Sequence, residues 1–543
     1  MPSRSRFALI VILLAQAACA AAQATPPAPL FPDLGRYRYA ADTRTPRAQQ
    51  YVDQGMLLAY GFNPAEAARS FEAATAADPR CATCWWALAW SLGPSINSDM
   101  EPAAAERVRA ALKEARTHAA RATPAQQGLI GALSIRHPRT GGIDEAGYAR
   151  AMAALAKRFP KDGEIAMLAA EAVLNLHPYD WWEADGTAKP WTPQIVAELS
   201  RAMALIPDHP GAHHYWIHLQ ESSKHPRDGE PSADLLRDRV PGSGHLTHMP
   251  AHIYLRTGRY ADAILANQKS IEADRRYLAA VDAQGAYRVG YVAHNHHFLY
   301  AAAAMAGQAR LAIEAANAAW PAACGPRPGD RSTAILQHYS VLPLYALVRF
   351  GRWDEILRGT LPPDVAEPYP LAIWHYARGT AQARTGKLGA ARDELARLER
   401  HAADPAIAKA KIKNINAAEK LARIAALTLR ADIALTERKP ADAVPLLVEA
   451  TAIEDALVYD EPHLWLAPTR HALGAALLDA GRAADAERVY REDLVHYPDN
   501  GWSLRGLALA QKKQGRQVAS LETEQRMRTA FRGADAVPAS SRF

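Results

Sequence analysis

From residue 47 to residue 532, apolar residues recur at intervals of three and four positions, which is the period of an amphipathic α-helix. No convincing segment shows the alternation of apolar and polar residues that is typical of a β-strand. The spacing that separates Gly55 from Pro79 recurs between Gly474 and Pro498, so the helices follow a repeated unit. The sequence therefore predicts an all-α chain built from similar helix pairs.

Aromatic and small residues fall at characteristic places within each unit. Phe71 precedes Pro79, and Trp85 and Leu88 begin the next unit. Glycine marks the turn inside five further units, at Gly258, Gly307, Gly351, Gly386 and Gly481. This pattern resembles the tetratricopeptide repeat, a helix-turn-helix unit of about 34 residues. The resemblance implies a right-handed α-solenoid over residues 47–532, in which stacked helix pairs share one core and form a concave side.

The first 24 residues have the layout of a secretory signal peptide. Arg4 and Arg6 precede an apolar run, and small residues follow up to Ala24, after which we expect cleavage. A lipoprotein anchored at Cys19 is the less favoured alternative, because Gln16 stands where a branched apolar residue is usual. No later apolar run is long enough to span a membrane. We therefore expect the mature protein in the periplasm or outside the cell.

Composition and charge narrow the remaining possibilities. Residues 25–46 are rich in proline, alanine and polar side chains, which predicts a flexible lead-in, and residues 533–543 are predicted to form a disordered tail. The net charge of +6 comes without a dense Lys/Arg tract, which argues against a nucleic-acid partner. Cys81 and Cys84, in an oxidising compartment, form either a local disulfide or part of a soft-metal site.

Histidines concentrate between residues 210 and 300, and the repeat register predicts where they point. The turn glycines and closing prolines start three consecutive units at Pro210, Gly244 and Ala293. In tetratricopeptide repeats, four positions of the first helix line the concave side. In this chain most of those positions hold an imidazole or a carboxylate: His214, His218, Glu221, His245, His248, His252, His294 and His297. His213 and His296 fall on the face that packs between helices, and His338 would extend the stripe into the next unit.

Chance does not explain this stripe. The chain has twenty histidines in 543 residues, so fewer than one is expected by chance at the twelve concave positions of three units. Seven are present. Packed helices lie about 8–10 Å apart, a gap that imidazole side chains from both sides and a metal ion can bridge. The sequence therefore predicts a transition-metal site formed by the seven concave histidines.

Imidazole ligands suit zinc, copper, iron and nickel, and export mildly favours copper or zinc, with iron as a third choice. Two carboxylates are candidates for the catalytic role of general base, or for metal ligation: Glu221 on the stripe itself and Glu171 in an earlier unit. Arg256 and Tyr254, close to the stripe, are candidates for positioning an anionic substrate. The chain has no H-E-x-x-H motif, which excludes a metalloprotease of that design.

The function itself stays open between different classes of protein. Residues 60–74, 84–97, 248–260 and 293–300 resemble a group of exported bacterial tetratricopeptide proteins with a His-rich central region, which implies the fold and export but no reaction. The first hypothesis is a metalloenzyme that acts on a small molecule in the concave groove. The alternatives are a metal-independent scaffold that binds a peptide or a partner protein there, and a periplasmic metal storage or delivery protein.

Overall fold

The computed structural model describes residues 28–183, 186–281, 283, 286–325 and 329–543, and the predicted signal peptide lies outside them. The helices of the first half are α1 (Pro46–Tyr60), α2 (Pro64–Ala77), α3 (Ala82–Ser91), α4 (Ala104–His118), α5 (Pro124–Arg136), α6 (Glu145–Arg158), α7 (Gly163–Leu176), α8 (Thr192–Leu205), α9 (Pro210–Glu221), α10 (Glu230–Leu236), α11 (Gly244–His248), α12 (Pro250–Thr257) and α13 (Tyr260–Ala280).

The second half continues the same pattern. Its helices are α14 (Ala293–Met305), α15 (Ala309–Cys324), α16 (Ala334–Arg349), α17 (Trp353–Arg358), α18 (Pro368–Arg384), α19 (Leu388–Ala402), α20 (Pro405–Lys409), α21 (Ala418–Thr436), α22 (Pro440–Asp455), α23 (Thr469–Asp479), α24 (Ala483–His496), α25 (Gly501–Lys513) and α26 (Gln517–Ala530). A short antiparallel pair, β1 (Lys411–Ile412) and β2 (Asn416–Ala417), precedes α21. A π-helical turn, Arg288–Val292, leads into α14. Among the described residues no helix is both long and apolar enough to cross a membrane.

The helices form antiparallel pairs such as α1 with α2, α14 with α15 and α25 with α26, each packed against the next. All five predicted turn glycines adopt a positive φ, from 64° at Gly351 to 83° at Gly258, a conformation that L side chains rarely adopt. Glycine also lets helices approach closely, since a Cβ at Gly474 would lie 2.3 Å from the Tyr490 ring. The predicted all-α solenoid of tetratricopeptide-like helix pairs is confirmed.

The C-terminal helices return to the central units and pack against their turns. The indole of Trp502 in α25 donates to the carbonyl of Ala304 in α14 at 3.0 Å. The phenol of Tyr260 donates to the carbonyl of Pro498 at 2.9 Å. The turns at Gly258 and Gly307 are therefore covered by the C-terminal units.

The described residues of the lead-in and the C-terminal tail lie against the helices. In the predicted flexible lead-in, the Asp42 carboxylate accepts the backbone N–H groups of Ala82 and Thr83 at the start of α3. In the predicted disordered tail, residues 533–543, Ser541 is fully buried and its hydroxyl donates to the carbonyl of His471. Both segments carry apolar and hydrogen-bonding side chains that pack against the helices. Composition alone does not reveal how these side chains are spaced. Cys81 and Cys84 are joined in a disulfide at the first turn of α3.

Candidate metal centre

The three histidine-bearing helices begin at Pro210, Gly244 and Ala293, the residues at which the repeat register starts its units. Proline suits the first position of α9, where its missing N–H is not needed. The Ser243 hydroxyl caps α11 by accepting the N–H of Leu246. The second unit is divided at Met249, because Pro250 cannot donate the backbone hydrogen bond that would join α11 to α12.

A first group of three imidazoles forms where α9 faces α11, and it consists of His214, His218 and His245. His214 donates its Nδ1–H to the carbonyl of Tyr60 at 2.6 Å, which turns its Nε2 toward His245 Nε2 at 3.1 Å. His218 Nδ1 donates to Glu221 Oε1 at 2.8 Å, and its buried Nε2 has no hydrogen-bond partner. One potential ligand atom from each residue lies within 4.8 Å of the others.

A second group of three imidazoles lies beside the first and consists of His248, His252 and His294. His248 Nδ1 donates to Asn267 Oδ1 at 2.7 Å, and the Asn267 amide is held in that orientation by its bond to the carbonyl of Ala263. The Nε2 atoms of His248 and His252 are 2.8 Å apart. In each group, therefore, two of the three imidazoles direct Nδ1 at an oxygen acceptor, as outer-shell partners do for metal-bound histidine. His245 Nδ1 has no hydrogen-bond partner among the described residues.

Glu221 connects the two groups. Its Oε1 accepts from His218 of the first group, and its Oε2 accepts from His252 Nδ1 of the second at 2.6 Å. Glu461 lies on the same imidazole, with Oε2 2.5 Å from His252 Nδ1, and the Tyr459 phenol donates to Glu221 Oε2 at 3.0 Å. Together, His218, Glu221, His252 and Glu461 form a third, carboxylate-containing group that could itself hold a cation.

Phenylalanine rings line both groups of imidazoles. Phe62 lies 4.4 Å from His214 and 5.3 Å from His245 between ring centroids, and its backbone takes a left-handed conformation with φ of 51°. That conformation costs a bulky L residue about 1–2 kcal/mol, so the fold stabilises this placement of the ring. Phe298 lies 4.4 Å from His252 in the same way. The rings shield the imidazoles from water.

Burial sets the protonation of the imidazoles. The exposed fractions of the six side chains lie between 0% and 6%. Burial and then the neighbouring imidazoles hold the pKa values of His214 and His245 well below 6.5, and burial and then His252 do the same for His248. For His294 the causes are burial, then the Lys413 ammonium, then the neighbouring imidazoles. These rings are neutral at physiological pH, as metal ligands must be.

His252 differs from the other imidazoles because two carboxylates, those of Glu221 and Glu461, face it. Burial lowers its pKa, but the opposing charges of Glu221 and Glu461 outweigh burial and raise the pKa to about 9. Burial raises the pKa of the Glu221 carboxyl in turn, and His252 and His218 bring it below its usual range. The two residues therefore form a buried ion pair when no metal is bound.

His297, the seventh predicted ligand, lies outside the three groups. Its ring faces His338, 5.3 Å away between centroids, and neither of its nitrogens has a hydrogen-bond partner among the described residues. A hydrogen bond of 2.8 Å joins His338 Nδ1 to the phenol of Tyr369. His213 bonds to Ser232 and to the carbonyl of Pro207, which agrees with its assignment to packing.

Glu171 lies in α7, where the structure does not bring it into any of the three groups. Its Oε2 accepts the indole N–H of Trp90 at 3.1 Å, and Oε1 lies 3.5 Å from the amide nitrogen of Asn175. Burial raises its pKa to about 7, in spite of the nearby Arg136 guanidinium. These contacts describe a buried carboxyl group that is held by neighbouring side chains. The repeat register had assigned Glu171 to the concave side.

We expect Glu171→Gln to change the pH dependence of stability without changing metal content. The folded-state pKa of about 7 exceeds the ordinary value of 4.5, so the contribution of this group is fully present below the unfolded pKa and is lost as pH rises through 7. Glutamine cannot ionise, so the variant should gain up to about 3 kcal/mol relative to wild type between pH 4 and pH 9. Urea unfolding at a series of pH values measures this, and a pH-independent difference would contradict it.

A pocket adjoins the second group through His252 and Phe298. It encloses about 510 Å³ of space, part of it open to solvent, between α12, α14 and the connection 456–468. Arg256 lines the pocket, whereas the phenol of Tyr254 bonds to Asp234 Oδ1, away from it. Of the two residues predicted to position a substrate, only Arg256 is therefore near a suitable cavity.

Two residues near the imidazoles were missed from the sequence because they belong to no repeat helix. Glu461 and Tyr459 lie in the connection 456–468 between α22 and α23. The available signal was the length of this connection and its run of acidic, aromatic and histidine side chains, since long connections in compact domains are often functional. Nothing in the sequence indicated which helices the connection would cover.

Several solved structures of other proteins are distantly similar to this chain. No family model matches the chain, and no curated protein sequence matches it. The human IFIT1 dimer with m7Gppp-AAAA is similar at 12% identity over 89% of this chain and 90% of that one, with a TM-score of 0.31. The APC/C hetero-tetramer Cut9-Hcn1 shows 12% identity over 89% and 76%, with a TM-score of 0.30. The TPR domain of P58(IPK) shows 10% identity over 86% and 98%, with a TM-score of 0.23.

These identities and TM-scores are too low to transfer a ligand or an activity to this chain. The tetratricopeptide-like fold rests on the chain's own helix pairs and left-handed turn glycines. Any functional conclusion has to come from the buried histidine groups and the pocket beside them.

Proposed function

We propose that this chain is an exported metalloprotein that binds transition-metal ions in its two groups of three imidazoles and acts on a small molecule beside them. One observation carries the proposal. His214, His218, His248 and His252 each direct Nδ1 at an oxygen acceptor, which leaves Nε2 as the inward atom of a buried, imidazole-lined space. That is the arrangement by which proteins orient histidine ligands on a metal ion.

In the first group, the hydrogen-bond pattern favours binding of a metal ion over binding of an extra proton. With Nδ1 donating to the Tyr60 carbonyl, the Nε2 of neutral His214 carries a lone pair that faces His245 Nε2 at 3.1 Å. Within the described residues, the buried Nε2 of His218 has no hydrogen-bond partner. Leaving such a buried polar atom without a partner costs about 1–3 kcal/mol. A cation among the three Nε2 atoms would satisfy them together. In the second group a proton on His252 Nε2 can bridge to His248 Nε2, so there a metal competes with a proton.

Donor chemistry and compartment support the choice of metal. Two sets of three imidazoles suit zinc, copper, iron or nickel, and we favour copper or zinc, with iron as the third choice. The Cys81–Cys84 disulfide supports export, because such bonds persist in oxidising compartments. Glu221 then serves both groups as an outer carboxylate that orients His218 and His252.

Burial weighs against the alternative functions. A groove that recognises a peptide through these histidines needs them exposed, and their exposed fractions do not exceed 6%. A storage or delivery protein needs exchangeable ligands, whereas these imidazoles are enclosed by Phe62, Phe298 and the connection 456–468. A pocket next to a metal ligand favours an enzyme that acts on a small molecule.

We expect the full chain, expressed with zinc, copper and iron supplied, to retain at least one transition-metal ion after dialysis. Removing the ion with a chelator should lower the melting temperature, because an ion that binds only the folded state at 100–1,000 times its Kd stabilises it by about 3–4 kcal/mol. Elemental analysis and calorimetry measure both effects. A chain that retains no stoichiometric metal under any of the three supplies, and whose melting temperature chelator leaves unchanged, would refute the proposal.

A further inference from the structure

The pocket beside the second group offers apolar and aromatic walls with one cationic side chain. Phe298, Met305 and Trp465 form part of the wall, and Arg256 reaches it from α12. His252 lines the pocket beside Phe298, so a molecule in the pocket would lie next to the second group.

Among the described residues, no carboxylate pairs with the charge of Arg256. Its Nε donates to the carbonyl of Glu221 at 2.9 Å, one Nη lies 3.4 Å from the carbonyl of Ser223, and its guanidinium lies 5.5 Å from the Tyr459 ring. Within the part of the chain that the structure describes, no acidic side chain forms an ion pair with it. The Glu221 carboxylate instead faces imidazoles.

The other charged groups at the pocket are already engaged. Asp460 lines the pocket but pairs with Lys413 Nζ at 2.9 Å. Glu461 faces His252. His463 also lines the pocket, and burial lowers its pKa to about 3, so this ring is neutral. One guanidinium in an apolar pocket matches one negative charge on the ligand, and a dianionic phosphate would lack a second cation there.

We infer that this pocket binds a small aromatic carboxylate, with its ring against Phe298 and Trp465 and its carboxylate at Arg256. Aromatic rings in offset or edge contact gain about 0.5–1.5 kcal/mol beyond the area they bury, which favours an aromatic body over an aliphatic one. As a statement about the substrate class of the proposed metal centre, the inference rests on the proposed function. Binding by the pocket itself does not require the metal.

The test compares 2-naphthoate with its uncharged counterpart 2-naphthalenemethanol by calorimetric titration of the full chain. We expect submillimolar binding of naphthoate and at least tenfold weaker binding of the alcohol. Arg256→Gln should weaken naphthoate at least tenfold and leave the alcohol within about twofold, and Arg256→Lys should recover part of the loss. Arg259→Gln is the matched control, because Arg259 pairs with Asp234 and Asp262 outside the pocket.

Metal content is measured on the same samples, so the two proposals fail separately. Naphthoate that does not bind, or that binds Arg256→Gln as it binds wild type, overturns the inference whether or not metal is present. Naphthoate that binds as expected to a chain without metal supports the pocket and refutes the metal proposal. Ala301→Leu provides a second variant, since added bulk at this buried pocket residue should exclude both ligands from a folded protein.

Discussion

Alanine at position 245 is expected to remove the metal ion of the first group and leave the second occupied, and alanine at position 294 should do the reverse. His245 belongs to the first group alone and His294 to the second alone, and neither bonds to Glu221. Each change removes one of three ligands, so it should cost more than the 10–100-fold affinity that the loss of an outer-shell partner costs. Elemental analysis gives the ions per chain, and competitive chelator titration gives the affinities.

His297→Ala is the matched control for these two variants, because His297 comes from the same helix as His294 but lies outside the three groups. It should retain the wild-type metal content. The pair of variants also separates the two triads from the carboxylate-containing group of His218, Glu221, His252 and Glu461. An ion held by that group would survive both His245→Ala and His294→Ala, and such a result would overturn the assignment of the metal to the imidazole triads.

Much of the fold could be predicted because its signals are local. A turn glycine such as Gly258 has a positive φ that only its own residue type adopts easily, and a helix start such as Pro210 depends on its neighbours in sequence. The contacts between the central and the C-terminal units have no such local signal in the sequence. A Cβ at Gly258 would lie 2.5 Å from the carbonyl oxygen of Pro498, a contact between distant units that periodicity does not encode.

The candidate site divides in the same way. The repeat register placed seven imidazoles on one side of adjacent helices, and in the structure six of them form the two triads. The register could not show that α14 carries His297 past the triads toward His338. It also could not show which ring nitrogen faces inward, since that depends on acceptors such as the Tyr60 carbonyl and Asn267. The position of Glu171 was harder to predict for a simpler reason, because the spacing of the repeats between about residues 95 and 200 is irregular.

Burial changes the chemistry that the concave side of the solenoid can perform. An open groove would keep imidazoles hydrated and partly protonated, whereas burial keeps His214, His245 and His248 neutral. The raised pKa of His252 gives it a buried positive charge, which Glu221 and Glu461 balance. Glu221 is therefore the residue on which both groups depend most.

Glu221→Gln is expected to weaken metal binding at both groups by about 10–100-fold, the usual cost of losing an outer-shell partner. Glutamine can accept from only one of His218 and His252, since its amide nitrogen would face the other Nδ1–H as a second donor. Without metal, the variant also leaves the buried charge of His252 with less compensation, and breaking a buried ion pair costs about 3–5 kcal/mol. Chelator titration and urea unfolding of the metal-free protein measure the two effects.

Two neighbouring substitutions make this prediction specific to the carboxylate that connects the groups. Glu461→Gln should weaken the second group more than the first, because Glu461 Oε2 lies 2.5 Å from His252 Nδ1 but only within 4.8 Å of the ligand atom of His218. Tyr459→Phe should change neither affinity by more than about threefold, since the Tyr459 phenol only donates to Glu221 Oε2, which keeps its charge. If Glu221→Gln weakened only one group, the two triads would not share their carboxylate in solution. If Tyr459→Phe matched Glu221→Gln, the loss would come from disturbed packing of the connection 456–468 instead of from the charge of Glu221.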